Sequence, residues 1–195
     1  MRSEPDRAPE RPDEASSQRV AERRWLPAAA VTALILLVAG GARTVADATA
    51  SDAGPPVRVG AVAQIQPRPG WDLETRSDDP PAARLHRGPV LLDVFALPPD
   101  AAGAISVARR FVDEALRPGL AQVTVGEPAA TRVGEVEAVR FGYVGVTRDG
   151  VPVEGVVTVA SGPSVSVVFD AYAPQGELVT VAEDLRAMID GAVIG

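Results

Sequence analysis

The sequence predicts an α+β fold in which helices cover an antiparallel β-sheet. Three observations support this fold class. Apolar residues alternate along several segments after residue 57, which is typical of strands with one buried face. Tight-turn sequences such as Asp149-Gly150 join successive segments, which indicates hairpins and therefore antiparallel pairing. Two other segments carry apolar residues at helical spacing, and such helices bury their apolar stripe against a sheet.

The first part of the domain alternates from Val57 to Ile65, which predicts a first strand that ends at Pro67-Arg68-Pro69-Gly70. The next segment, from Asp72 to Pro89, is polar and rich in proline, and we interpret it as a long loop. Val90–Leu97 reads as a second strand. Asp93 lies in its middle, so this carboxylate either needs a partner, if it is buried, or marks an exposed face.

A helix is predicted to follow, with Asp100 as its N-cap after two prolines. Pro118-Gly119 ends it. Its apolar residues fall on one face, namely Ala104, Ala108, Phe111, Val112 and Ala115. Oppositely charged residues four positions apart are predicted to pair on the other face, namely Arg109 with Asp113 and Arg110 with Glu114.

The second half of the domain reads as a meander of strands and a closing helix. Strands are predicted at 121–125, 136–146 and 151–160. In the last predicted strand, alternate residues form the inward face, namely Val165, Val167, Phe169 and Ala171. A helix over 177–192 is predicted from its apolar stripe, namely Leu178, Val181, Ala182, Leu185, Met188, Ile189 and Ala192.

An uncharged run from Trp25 to Ala42 precedes the domain. As a helix, these residues would extend about 27 Å, close to the roughly 30 Å thickness of a bilayer core. Arg19, Arg23 and Arg24 precede the run, and only Arg43 follows it closely. By the positive-inside rule, the run is predicted to be a single transmembrane helix with a cytoplasmic N-terminus and the domain outside.

Cleavage of the same run as a signal peptide remains an alternative. Ala46-Asp47-Ala48 and Ala48-Thr49-Ala50 both fit the small-residue pattern of a cleavage site. Against cleavage, the leading region is long and carries six acidic residues, and the apolar core exceeds the roughly 7–15 residues that are usual for a signal.

Four regions follow from this organisation. Residues 1–24 are mostly polar and mixed in charge, and they are predicted to form a disordered cytoplasmic tail. Residues 25–42 form the transmembrane helix. Residues 43–56 are small and polar and end in two prolines, which is typical of a linker. Residues 57–195 form one extracytoplasmic domain, which is long enough to bury a core.

Composition excludes several classes of function. The chain has no cysteine, so disulfides and thiolate metal sites are not available to it. All 19 basic residues are arginine, which together with abundant Ala, Val, Gly and Pro suggests a GC-rich, actinobacterial genome. The net charge of −7 falls on residues 51–195, because the charges before them balance. Such a domain is poorly suited to bind nucleic acid or anionic lipid.

The pattern over 57–195 resembles the PsbP-like fold, which a small Ran-binding nuclear-import factor shares. The resemblance rests on Pro69-Gly70-Trp71 after the first strand, a middle helix, a three-strand meander and a closing amphipathic helix. It implies an α/β/α sandwich around an antiparallel sheet. It also implies a non-enzymatic binding or scaffolding role, with Trp71 as a packing residue.

The residues that could carry catalysis are few. His86 is the only histidine, and we predict it to be a solvated loop residue. Without a nucleophile motif or further metal ligands, it supports neither a catalytic triad nor a zinc site. Carboxylates are paired at Asp72/Glu74, Asp78/Asp79, Glu135/Glu137 and Glu183/Asp184. Glu135 and Glu137 are predicted to share a strand face, but solvated positions are expected for all four pairs.

The sequence therefore predicts no catalytic, cofactor-binding or metal-binding residue and no cofactor. The leading hypothesis is a membrane protein that contacts the bilayer through residues 25–42. Its outer domain is expected to bind an envelope protein or a small ligand. A secreted binding protein, cleaved near Ala48 or Ala50, is the first alternative. An enzyme that uses a carboxylate pair is the second, and it requires two acids that converge in a pocket.

Overall fold

The computed structural model describes residues 54–195. The predicted tail, the predicted transmembrane helix and most of the predicted linker lie outside the described residues. From residue 54 onward, no helix combines the length and apolar character that crossing a bilayer would require.

The described residues form eleven strands and two main helices. The strands are β1 (Val57–Val59), β2 (Ala63–Ile65), β3 (Asp72–Asp78), β4 (Pro81–Arg87), β5 (Val90–Leu97), β6 (Gln122–Val125), β7 (Ala129–Val133), β8 (Val136–Val146), β9 (Pro152–Ser161), β10 (Ser166–Pro174) and β11 (Val193–Ile194). The helices are α1 (Ala104–Phe111) and α2 (Ala182–Asp190). A π-helical turn, Val112–Leu116, and a last turn, Arg117–Gly119, continue α1, and a 3₁₀ turn, Leu178–Val181, precedes α2.

The strands form two antiparallel sheets. The small sheet has the order β1-β2-β11. The large sheet has the order β3-β4-β5-β10-β9-β8-β6, and β7 pairs with the first half of β8 beside β6. The hairpins therefore produce the antiparallel sheet that the turn sequences predicted.

The large sheet separates two hydrophobic cores, because successive side chains of a strand point to opposite faces. On β10, Val167 and Phe169 belong to the core that α2 and the small sheet cover. Val168, between them, belongs to the core that α1 covers. Helices therefore lie on both faces of the sheet, in the α/β/α arrangement that the resemblance implied.

The segment 72–89, predicted to be a loop, is instead the hairpin of β3 and β4. Every residue of β3 is exposed, so the strand lacks the apolar alternation that sequence reasoning depends on. Only β4 buries side chains against the core, through Ala83 and Leu85. The predicted strand 57–65 is also wrong in one respect: it folds back at Gly60, whose φ of 58° suits glycine, into β1 and β2.

The start of α1 differs from the prediction. The N-cap is Gly103, and Asp100 lies one turn earlier. The Asp100 carboxylate accepts hydrogen bonds from the Ala102 N–H at 2.9 Å and from the Ser106 hydroxyl at 3.1 Å. Asp100 therefore stabilises the turn that leads into the helix.

The two predicted ion pairs on this helix are also replaced. Arg110 pairs with Asp100 at 3.4 Å, and Asp113 pairs with Arg117 at 3.2 Å. The π-helical turn widens the helix just after Phe111, so residues four apart across this point no longer lie above one another.

The second half of the domain is close to the prediction. β8 has the predicted bounds, and β9 is shifted by one residue. β10 begins one residue after Val165 and extends three residues beyond Ala171. The predictions missed β7, which is mostly exposed. The closing helix begins with a 3₁₀ turn, and its predicted stripe is buried except for the half-buried Ala182.

Candidate functional site

The four carboxylate pairs do not converge. Seven of their eight side chains are exposed, and only Asp184 is half-buried. Asp184 forms ion pairs with Arg87 and Arg68. The prediction that Glu135 and Glu137 share a strand face is wrong, because Glu135 lies in the turn before β8. None of these pairs offers two carboxylates to one substrate.

His86 lies on β4 rather than in a loop. It is half-buried, and Asp72 of β3 and Leu91 of β5 are its neighbours across the strands. Trp71 is buried in the core that α2 covers, which agrees with the packing role that the resemblance implied. Its backbone N–H donates to the Arg68 carbonyl at 3.1 Å and closes the turn before β3.

The structure does bring polar groups together at the centre of the large sheet. Asp93 of β5 and Asp170 of β10 are directly opposite each other in the strand register. Arg84 of β4 is the next residue in the same row, and Tyr143 and Tyr172 reach the two carboxyl groups. We call Arg84, Asp93, Tyr143, Asp170 and Tyr172 the central polar cluster.

Both carboxylate oxygens of Asp93 accept hydrogen bonds within this cluster. Arg84 donates two hydrogen bonds, from Nε to Oδ1 at 2.5 Å and from Nη2 to Oδ2 at 2.8 Å. Tyr172 donates a third from its hydroxyl at 3.2 Å. Such a two-point guanidinium contact is the strong geometry for a carboxylate. The expectation that a buried Asp93 needs a partner is therefore confirmed.

The hydrogen bonding of Asp170 is weaker than that of Asp93. The Tyr143 hydroxyl donates to its Oδ1 at 3.0 Å. Tyr143 can reach across β9 because Gly155 lies opposite it, and a Cβ at Gly155 would overlap the tyrosine ring. Sequence reasoning missed Asp170, although one signal was available: Asp93 and Asp170 each interrupt an apolar strand at its middle.

Burial governs the electrostatics of the cluster. It raises the pKa of Asp170 to about 7; the Tyr143 hydrogen bond opposes this shift, the Asp93 charge adds to it, and Arg84 opposes it. Burial also raises the pKa of Tyr143 well above its usual value, and it raises the pKa of Tyr172 to about 12. Arg84 stays charged, because its hydrogen bonds to Asp93 raise its already high pKa.

This arrangement is suited to holding a proton and poorly suited to acting on a substrate. Asp93 and Asp170 are each 7% exposed, and general acid–base catalysis requires that a substrate reach the acid. Within the described residues, no three His, Asp or Glu side chains are grouped as metal ligands.

A cavity lies elsewhere, between α2 and the sheet. It has a volume of about 20 Å³, and its lining is apolar apart from Arg140 and Arg186. A volume of this order accommodates about one water molecule. It is therefore too small to serve as a ligand pocket in this conformation.

The sheet surface beside the central polar cluster is only partly covered. Helix α1 packs over β8, β9 and β10, and its last residue, Phe111, contacts the ring of Phe95 with the centroids 6.1 Å apart. Beyond this contact, side chains of β4, β5 and β10 on the same face remain half-buried. We call this surface the open face, formed by Arg84, His86, Leu91, Phe95 and Tyr172.

Comparison with known proteins gives matches only among solved structures. No protein-family model and no curated protein sequence matches the chain. The cyanobacterial PsbP protein (CyanoP) of Synechocystis superposes with a TM-score of 0.55 and 13% identity, over 80% of this chain and 99% of its own. LpqN of Mycobacterium tuberculosis gives a TM-score of 0.52 and 15% identity, over 72% and 89%.

A Bacteroides thetaiotaomicron protein matches with a TM-score of 0.50 and 9% identity. The match covers 71% of this chain but only 47% of that protein. Similarity at these identities establishes the arrangement of strands and helices and leaves function open. The described domain, with its antiparallel sheet between helices, has the PsbP-like fold shared with CyanoP and LpqN.

Proposed function

We propose that this chain is a single-pass membrane protein whose outer domain is a non-catalytic binding module. The observation that carries the binding role is the open face. On the opposite side of the sheet, the small sheet and α2 bury Leu85, Leu92 and Phe169 completely. On the open face, equivalent positions of the same strands remain half-buried.

The chemistry of the open face suits a protein partner. Phe95, Tyr172 and Leu91 provide apolar surface, and Arg84 and His86 border it. Aromatic residues and arginine are the types that contribute most to interface energy. Arg84 is already held in place by Asp93, so a partner would not have to immobilise it.

Two observations support binding rather than catalysis. The carboxylate pairs lie at the surface, and the two acids of the central polar cluster are buried and hydrogen-bonded to its other members. The solved structure of LpqN is described as that of a protein involved in cell envelope biogenesis, and we propose an envelope protein as the partner here.

The membrane topology can be tested with single cysteines, because the chain has none of its own. Ser16→Cys marks the predicted tail, and Gln122→Cys marks an exposed position of β6. In intact cells, a membrane-impermeant maleimide should label Gln122→Cys, and it should label Ser16→Cys only after permeabilisation. The reverse pattern would exclude the proposed orientation. A soluble domain that begins at Thr49 or Ser51 by intact mass would favour the secreted alternative.

The binding surface can be tested with a photo-crosslinker attached to His86→Cys, on the open face. Gln122→Cys, at the far edge of the sheet, is the matched control. Cross-linking in native membranes should give a discrete adduct from position 86 and none from position 122. Equal adducts from both positions, or an adduct from position 122 alone, would contradict binding at the open face.

A further inference from the structure

We propose that Asp93 and Asp170 together hold a single proton, and that loss of this proton as pH rises destabilises the pairing of β5 with β10. The proposal concerns the central polar cluster and holds whether or not the open face binds a partner. It rests on the geometry of the two carboxyl groups and on the charges available to them.

The positions of the two aspartates place their carboxyl groups side by side. Asp93 and Asp170 are register partners on neighbouring antiparallel strands. Such partners have Cβ atoms roughly 4.5–5.5 Å apart on one face of a sheet. Both residues are 7% exposed, so water does little to screen the repulsion between two negative charges at this distance.

The surrounding elements supply one cation for two acids. β4 contributes Arg84, which is bound to Asp93 by two hydrogen bonds. β8 contributes Tyr143, and β10 contributes Tyr172, both of which are neutral donors here.

The neighbouring strand β9 and helix α1 contribute apolar side chains. β9 places the apolar Val157 opposite Asp170, and α1 buries Val107 and Ala108 on this side. Two further titratable residues lie near this cluster: Glu74 of β3, which acts on Arg84, and His86, two residues from Arg84 on the same face of β4. Among residues 54–195, Asp170 therefore has a hydrogen-bond donor but no counterion of its own.

A shared proton resolves this imbalance. With Asp170 protonated, the pair carries one negative charge, which Arg84 neutralises. When that proton is lost, two carboxylates face each other across β5 and β10, and like charges directly opposite destabilise a strand pair. The burial that raises the pKa of Asp170 to about 7 places this loss near neutral pH.

The sign of the effect follows from proton linkage. Between about pH 4 and pH 7, the folded chain holds a proton on Asp170 that the unfolded chain has released. The contribution of Asp170 to the free energy of unfolding is therefore fully present at low pH and decreases as pH rises through this window. Above the window it changes little. The unfolding constant should rise by up to about tenfold per pH unit within the window.

The decisive experiment compares Asp170→Asn with the unchanged protein. The full chain in non-ionic detergent is unfolded by urea at pH 5, 6, 7 and 8. Asn is nearly the same shape, accepts the Tyr143 hydrogen bond and cannot ionise. The expected result is that the unfolding constant of the unchanged protein rises, relative to that of Asp170→Asn, by roughly tenfold per pH unit between pH 5 and pH 7.

Asp79→Asn is the matched control, because Asp79 is exposed, and its pH dependence should follow that of the unchanged protein. If Asp170→Asn also followed the unchanged protein, the proposal would be overturned.

A direct titration keeps the test independent of that variant's folding. With ¹³C-labelled aspartate carboxyl groups in the unchanged protein, one resonance should titrate with a midpoint between about pH 6 and pH 8. Tyr143→Phe removes the hydrogen bond that lowers this pKa, so it should move the same midpoint upward. Titration of every aspartate below about pH 5 would refute the shared proton.

Discussion

Individual residues in this domain are matched to one another across strands. Tyr143 spans β9 to reach Asp170, and it can do so because Gly155 leaves the space above β9 empty. Arg84 and Asp93 are matched in the same way through two hydrogen bonds. In each case, a side chain on one strand contacts a particular residue on another strand. The effect of substituting one residue therefore depends on which residue lies opposite it.

Gly155→Ala should destabilise the domain by about 1–3 kcal/mol, because the added methyl group displaces the Tyr143 ring from a packed position. Urea unfolding measures this cost. Gly119→Ala is the control, since a Cβ there meets nothing within 4 Å. Equal stability of the two variants would show that Tyr143 does not occupy the space above Gly155.

Arg84→Met should destabilise the domain by about 2 kcal/mol, because it leaves the Asp93 carboxylate buried without its cation. This loss is smaller than for a fully buried pair, since the Arg84 side chain is 39% exposed and solvent screens its charge. Urea unfolding at pH 7 measures the loss. Arg76→Met, on an exposed strand, is the control, and an equal loss there would contradict the role of Arg84.

Sequence reasoning identified one of the five residues of the central polar cluster, Asp93. Asp93 stood out because an acid inside an apolar strand requires a partner. The identity of that partner depended on β4, which was hidden in a segment predicted to be a loop. Asp170 was missed because only the apolar residues of its strand were used to assign a face.

At the level of elements, prediction succeeded where burial was strong. β8, β9 and β10 bury residues on both faces, so their sequences are rich in valine and other strand formers. β3 and β7 are mostly exposed and leave no apolar pattern. The π-helical turn after α1 also leaves no sequence signal, and it changes which charged residues pair.

The closing helix depends on a contact that periodicity does not show. Oε1 of Glu154 on β9 accepts hydrogen bonds from the backbone N–H groups of Gly176, at 3.0 Å, and Leu178, at 3.2 Å. These N–H groups lie at the start of the 3₁₀ turn that leads into α2. Glu154 therefore fixes the point at which the chain leaves the sheet.

Glu154→Ala should cost about 1–2 kcal/mol, because two N–H groups lose their acceptor. The loss should be local, so amide hydrogen exchange at Leu178 should accelerate roughly tenfold or more. Glu177→Ala is the control, since Glu177 is exposed and its side chain is not the acceptor of these bonds. Unchanged exchange at Leu178 in Glu154→Ala would contradict the anchoring role.

The two faces of the large sheet are covered to different extents. One face is sealed by α2 and the small sheet, and the other is only partly covered by α1. The predicted fold class anticipated helices against an antiparallel sheet. It did not anticipate the unequal covering, which depends on where β4 and β5 lie relative to α1.

In the described part of the chain, both cores consist of side chains between Val57 and Ile194. Residues 54–195 expressed alone should therefore fold, with a melting temperature within about 3 °C of the full chain, which corresponds to less than about 1 kcal/mol. Circular dichroism during heating measures this. A fragment that melts without cooperativity would show that the preceding residues are needed for folding.

The small sheet brings the two ends of the domain together. β1 and β11 both pair with β2, so they lie about 10 Å apart, and the Gly195 N–H donates to the Val62 carbonyl at 3.0 Å. A mechanical load applied between the two termini would therefore act first on these few hydrogen bonds and peel β11 from β2. The large sheet would bear load only after that step. For the same reason, a bulky C-terminal fusion would emerge next to the chain that enters β1, so a long spacer is advisable in any pulling or tethering experiment.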